Sequence, residues 1–251
     1  MSDFALLDFD APRATLRLNR PQQHNALSLD LLAALHARLE ELEGRDDITV
    51  LTLTGTGRSF CAGMDLKQVL RTEGAEWQGP AVLEALARFT LRLRELPMVV
   101  VASVNGAAIG GGCGLACVAD LAISHSDAKV GFPEVDLGLC PAVVAPWVVR
   151  KLGAGRARRV LLSGGVMSGA EAHNIGLIDH CAPSRDELAG LTDRIVSRLA
   201  AGGAGAMRAT KDLLNRLDGS LDAASVLEGA QLSARVLGTA EAQAALAARS
   251  G

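Results

Sequence analysis

The sequence predicts an α/β fold with a helical tail. Three observations carry that expectation. Short β-branched blocks alternate with amphipathic stretches in the first part of the chain, the pattern from Pro141 onward is helical almost to the end, and 49% of the 251 residues are hydrophobic. Aromatic residues make up only 3% and tyrosine is absent, so the core must be built from Leu, Val, Ala and Ile. This length suits one large domain, or a domain with an appendage. No linker rich in Pro and Ser sets the tail apart, so it should pack rather than dangle. The expected division is an α/β core over residues 1–195 and a helical region over 196–251.

Residues 4–9 and 14–18 should pair as a hairpin, because Ala14, Leu16 and Leu18 alternate with Thr15 and Arg17. Ser28 can cap a helix whose apolar stripe is Leu31, Leu32, Leu35, Leu39 and Leu42, ending near Gly44. Residues 48–53 read as a strand, followed by a loop over 55–65. A polar stretch over 71–80 leads into a helix over 81–96. Residues 99–104 form a β-branched block that reads as a buried strand. Three consecutive glycines, Gly110, Gly111 and Gly112, then make a turn, and Leu115 to Ala119 continues as a helix. Short strands are expected over 121–124 and 129–132. The tail helices carry leucine stripes, such as Leu221 and Val226 with Leu232 or Leu237. These suit either an intersubunit surface or the chain's own core.

The glycine segment needs three exclusions. Met98 to Ala119 is a 22-residue run without a charge, and Gly106, Gly110 and Gly114 stand at GxxxG spacing. Five glycines with Asn105 make a poor lipid-facing helix, however, and no basic cluster or aromatic belt flanks it. A dinucleotide fingerprint fails because Leu115 stands where its last glycine is needed, and no Gly-Lys-Ser/Thr occurs for a phosphate loop. Net charge is −3 with no basic run, which argues against nucleic acid as a partner. Cys61, Cys113, Cys117, Cys140 and Cys181 are odd in number and show no CxxC, as expected of reduced thiols in a cytoplasmic protein without a zinc site. The start of the chain lacks the pattern of a signal peptide.

Two loops share one logic. Each follows an apolar strand, turns at Ala-Gly or Gly-Gly, and leads into a helix. The first presents the N–H of Met64 and the second that of Gly111. A helix start leaves such amides unpaired at the positive end of the dipole, and glycine lets a ligand approach closely. If the loops are neighbours, both amides can hold one oxygen that develops negative charge, as in an oxyanion hole. The alternative is a glycine turn that only lets strand and helix pack.

Four segments carry a resemblance to a known family: Phe60-Cys-Ala-Gly-Met-Asp-Leu66, Ser103-Val-Asn-Gly-Ala-Ala-Ile-Gly-Gly-Gly-Cys113, Ala119-Asp-Leu-Ala-Ile123 and Gly131-Phe-Pro-Glu-Val-Asp-Leu-Gly138. Asn19-Arg-Pro21 and Asn25-Ala-Leu27 fit as well. Together they resemble the crotonase (enoyl-CoA hydratase/isomerase) superfamily from about residue 10 to the end. The resemblance implies a spiral of repeated ββα units with a C-terminal helical trimerisation region, and a homotrimer or a dimer of trimers. It implies an acyl-CoA substrate, with coenzyme A present only as part of the thioester and no permanently bound cofactor. Met64 and Gly111 match the amides that polarise the thioester carbonyl. Gln22, Gln23, His24, Ala62, Asp65 and Leu66 match the coenzyme A surface, and Gly110 the substrate site. Ala142 matches a position whose N–H orients water or acid.

Hydratases of the family commonly flank one water with two glutamates. Glu134 matches the second, whereas Gly114 stands at the first, and Cys113 beside it is no substitute. One base can still move a proton to or from a thioester enolate, best if burial raises its pKa toward neutrality. Without the resemblance, Glu134 reads as a surface residue after a turn proline. Gly112-Cys-Gly-Leu-Ala116 and Leu139-Cys-Pro-Ala-Val-Val-Ala-Pro146 look most like methylglutaconyl-CoA hydratases, although no cation for a second carboxylate can be named beyond Arg71. Arg249 is the candidate phosphate contact near the end. The expected reaction is hydration of a short or branched enoyl-CoA, or dehydration of its 3-hydroxyacyl counterpart. A double-bond isomerase using the same glutamate and a non-catalytic acyl-CoA-binding member are the alternatives.

Overall fold

The computed structural model describes residues 3–72, 74 and 76–250, with the backbone alone at 249 and 250. A hairpin opens the chain, β1 (Ala5–Asp10) and β2 (Arg13–Leu18), in antiparallel register with Ala5 opposite Leu18. Helix α1 (Leu29–Leu42) follows, and Ser28 Oγ accepts the Leu31 N–H at 3.2 Å to cap it. All five leucines of its predicted stripe are fully buried. Next come β3 (Val50–Gly55), β4 (Ser59–Cys61), the short α2 (Leu66–Val69) and α3 (Gly79–Glu95). The glycine segment folds as β5 (Val99–Ser103), β6 (Ala107–Ile109) and α4 (Gly111–Val118). Strands β7 (Leu121–His125) and β8 (Lys129–Gly131) precede α5 (Ala145–Leu152) and α6 (Ala154–Ser163). The chain continues through β9 (Val166–Ser168), α7 (Gly169–Asn174) and β10 (His180–Ala182). It ends with α8 (Arg185–Ala200), α9 (Ala204–Leu217), α10 (Ala223–Leu237) and α11 (Ala240–Ser250).

The strands form two sheets, ordered β1-β2-β3-β5-β7-β10 and β4-β6-β8-β9. Three times in succession the chain places one strand in the large sheet and the next in the small one, as β3 and β4, β5 and β6, then β7 and β8. Helices close the first two of these turns, so the chain advances as a spiral of ββα units. Within the spiral, neighbouring strands run parallel. Parallel strands covered on both faces need near-continuous apolar runs, and Val99-Val-Val-Ala102 supplies one.

Several predicted elements change. The loop over 55–65 contains β4, and the turn after residue 104 contains β6. Helix α4 begins at Gly111, so two of the three glycines lie inside it. A Cβ on Gly112 would stand 2.2 Å from the Cys61 carbonyl oxygen, so only glycine lets α4 press against β4. The helical pattern after Pro141 is interrupted by β9 and β10, three-residue strands too short to show periodicity. The division at 195 falls inside α8, which buries Leu188 and Val196 against Val50, Val101 and Ile123 of the large sheet. Helix α8 ends at Ala200 and α9 begins at Ala204, with Gly202 and Gly203 between them.

Beyond these glycines, α10 packs along α3 with Val226, Ala230 and Leu237 buried. Leu221 and Leu232 of the predicted stripe are 43% and 39% exposed, so that stripe divides between core and surface. Among the described residues, no helix is long and apolar enough to cross a membrane.

Candidate active site

The loop after β4 is held by a parallel bridge between Leu27 and Met64. The Leu27 N–H donates to the Gly63 carbonyl at 2.7 Å, and the Asp65 N–H donates to the Leu27 carbonyl at 2.9 Å. Those bonds use the groups on either side of Met64, so the Met64 N–H itself faces the opposite edge. On that edge lies the start of α4. The Cβ position of Gly63 is 2.9 Å from the Ile109 carbonyl oxygen and 3.9 Å from the Gly111 nitrogen. Gly111 is the first residue of α4, where a helix has no acceptor for the amide. Among the described residues, neither the Met64 nor the Gly111 N–H donates to another group. Gly110 makes this turn with φ 54° and ψ −120°, a conformation that favours glycine, and its own N–H donates to the Gly131 carbonyl at 2.8 Å.

Glu134 follows β8 and Pro133, and its carbonyl accepts the Leu137 and Leu139 N–H groups at 3.0 and 2.9 Å. It is not a surface residue: it is 9% exposed, and Oε2 is buried without a hydrogen-bond partner among the described residues. Burial pushes its carboxyl up to about 7, against a smaller downward pull from its own backbone amide. Met64, Gly111 and Glu134 line one cleft with about 380 Å³ of space, part of it open to solvent. The rest of the wall is mostly apolar, with Leu83 and Leu86 from α3, Leu139, Val143 and Val144 before α5, and Leu237 from α10. Two unpaired donors and one neutralisable acid in such a setting can stabilise a developing oxyanion and transfer a proton beside it.

A family model described as enoyl-CoA hydratase/isomerase matches residues 10–246. The chain belongs to the enoyl-CoA hydratase/isomerase family. The short-chain-enoyl-CoA hydratase of Clostridium acetobutylicum is 31% identical over 214 residues, which are 84% of this chain and 80% of that protein. The 1,2-epoxyphenylacetyl-CoA isomerase of Escherichia coli is 36% identical over 181 residues, 71% of this chain and 69% of its own. Pseudomonas aeruginosa AtuE superposes with a TM-score of 0.80 at 35% identity, over 95% of this chain and 93% of that one. The enoyl-CoA hydratase of Bacillus anthracis gives 0.79 at 29% identity, over 90% of each chain. The fold is thus the crotonase-type spiral.

The other residues expected at the site from the family resemblance are placed as follows. Gln22 and Gln23 lie on an exposed turn, Pro21–Gln23, which ends at His24 in left-handed conformation. His24 Nδ1 is 3.1 Å from Ser59 Oγ, and the Ala62 N–H donates to the His24 carbonyl at 3.0 Å. Gln22, Gln23, His24 and Ala62 therefore lie on the stretch that braces β4 and the Met64 loop, Leu66 packs against the core, and none of the five lines the cleft. Asp65 has a structural task for its carboxylate. It pairs with Arg20 at 3.0 Å and caps α2 by accepting the Lys67 N–H at 3.1 Å.

Ala142 is not brought to the cleft as expected. Its N–H donates to Ser233 Oγ at 3.1 Å, and that hydroxyl donates to the Cys140 carbonyl at 2.8 Å, so the amide has no freedom to orient water. Arg71 stacks on Trp77 at 4.2 Å and lies outside the cleft. The side chain of Arg249 lies outside the described residues. Ser233, Cys140 and Leu237 line the cleft although sequence reasoning gave none of them a role there. The only hint at Ser233 was a small polar residue between Ala230 and Leu237 on the buried face of α10.

Proposed function

We propose that this chain adds water across the double bond of an α,β-unsaturated acyl-CoA and removes it from the 3-hydroxyacyl product, with Glu134 as the lone acid/base. One observation supports this reading above others: a buried, unpartnered glutamate shares a cleft with two amides that lack acceptors. In hydration, the Glu134 carboxylate takes a proton from water as the oxygen bonds to Cβ. The double-bond electrons move onto the thioester oxygen, where the Met64 and Gly111 N–H groups hold the enolate. Glu134 then returns the proton to Cα and the enolate collapses, so water's hydroxyl and hydrogen are both accounted for. Coenzyme A takes part only as the thioester, approaching past Gln22, Gln23, His24 and Ala62.

The acyl group that suits this cleft is neutral and short or branched. A 3-methylglutaconyl group would bring a second carboxylate toward Glu134, and among the described residues the cleft lining includes no Lys, Arg or His. The isomerase reading is favoured by one fact, the 36% identity to an isomerase acting on a coenzyme A thioester. Assay decides between them. A hydratase bleaches the enoyl-thioester absorbance and incorporates solvent oxygen, whereas an isomerase relocates the bond without taking up oxygen. Absence of any turnover would favour the non-catalytic acyl-CoA-binding member. Leu213, Leu214 and Leu217 of α9 are 49%, 53% and 74% exposed, and we assign that face to contact with further copies in a trimer or a pair of trimers. Reduced thiols remain consistent with a cytoplasmic setting.

A further inference from the structure

Position 114 lies one turn along α4 from Gly111, so a side chain there would share that residue's face. The turn is regular, because the Gly114 N–H donates to the Gly110 carbonyl at 2.9 Å. A Cβ on Gly114 would nevertheless stand 2.2 Å from Val144 Cγ1 and 2.8 Å from Val144 Cβ. Carbon atoms do not approach that closely, so no side chain fits at 114 while Val144 keeps its place. Val144 cannot easily yield. It is 2% exposed at the start of α5, its N–H donates to the Pro141 carbonyl at 3.2 Å, and its carbonyl accepts the Val148 N–H at 3.1 Å. The first acid is therefore not only missing: its space is filled from another element, by an apolar group that lines the same cleft as Glu134.

We propose that Val144 is the specificity-determining residue of the cleft, its isopropyl group taking the volume of a position-114 side chain and setting which neutral acyl substituents fit beside Glu134. This rests on the acyl-thioester reading above and deepens it. A branched hydrocarbon wall offers no hydrogen bond to water and no charge to a polar acyl group, so selection follows size and apolar contact. One methylene in such a pocket changes kcat/KM by about 10- to 200-fold.

The test is kcat/KM for a series of straight and branched enoyl-CoA thioesters of rising length, with V144A and V144I beside the unmodified protein. V144A should raise the preference for the longer or bulkier acyl group by at least about tenfold, and V144I should lower it. G114A alone should lose about tenfold or more in kcat/KM, and the G114A/V144A pair should recover most of that loss. Circular dichroism melts check that each variant folds. A preference unchanged within twofold in both Val144 variants, or a fully active G114A, would overturn the assignment. Dissociation constants for unreactive saturated acyl-CoAs of the same lengths separate the two proposals. If they shift with residue 144 in a protein that turns nothing over, the specificity assignment stands and the hydratase reading fails. If turnover is present but neither constant responds to residue 144, the reverse holds.

Discussion

A Cβ on Gly110 would stand 2.8 Å from Glu134 Oε1, so the backbone that begins α4 and the acid that lines the cleft meet across a gap too narrow for a methyl group. The acid thus touches the same turn that presents the Gly111 amide. If Glu134 acts as acid/base, E134Q should cut kcat by about 10²-fold or more, while the dissociation constant for coenzyme A stays within a fewfold. Stopped-flow assays and calorimetry measure the two quantities. Equal turnover in the mutant would remove Glu134 from the mechanism.

The same residue should set the pH dependence of the reaction. Its carboxyl titrates at about 7, and the reaction needs the carboxylate. kcat/KM should therefore fall about tenfold for each pH unit below 7 and level off above it. A profile that breaks near 4.5 would mean that the acid is not buried during catalysis.

Stability should run the other way. The folded carboxyl holds its proton up to about 7, whereas the unfolded chain releases it near 4.5. Below 4.5 both states are protonated and Glu134 has no effect. As pH rises from 4.5 through 7, the unfolded state ionises first and the fold loses about 3 kcal/mol. E134Q escapes this loss, so its advantage over the unmodified protein in urea unfolding should grow by about 3 kcal/mol between pH 4 and pH 8. A constant difference would contradict the buried acid.

The amide of Gly111 can be removed without removing a side chain. Proline is tolerated at a first helical position and carries no N–H. G111A retains the donor, and its Cβ meets only the flexible ends of Leu27 and Leu86, at 3.0 and 3.1 Å. G111P should lose about 10²- to 10³-fold in kcat beyond whatever G111A loses. Equal activities would show that this amide holds no charge in the transition state.

The Arg20–Asp65 pair fixes the loop that carries Met64. Both side chains are 13% exposed, and Arg20 also donates to the Ala26 carbonyl at 2.6 Å. D65A removes the cap of α2 and leaves a mostly buried guanidinium without its ion partner, at a cost of about 2–4 kcal/mol. D65N can keep the cap and should lose less. Thermal melts with kcat/KM should show both variants losing stability and activity together, in the same order.

Local chemistry made much of this molecule legible. Ser28 and the five leucines after it specify α1 because cap and stripe are both short-range signals. The hairpin followed from simple alternation. Strands β4, β6, β9 and β10 escaped because three residues are too few to display a period, and each exists through its partners, β10 beside β7 in the large sheet and the other three in the small one. The roles of Val144 and Ser233 in the cleft were not legible: they lie 30 and more than 100 residues beyond Gly114 in the chain and reach the cleft along directions set by packing.

By itself the sequence determined the alternation of strands and helices, the glycines that allow close backbone approach, and one glutamate in the right company. Only the tertiary structure decided that the Met64 and Gly111 amides lack acceptors, that Glu134 is buried enough to hold a proton near neutrality, and that Val144 fills the space beside Gly114. The physical reason is that desolvation and excluded volume belong to pairs of segments distant in the chain. No local pattern of residues encodes them before the chain has closed on itself.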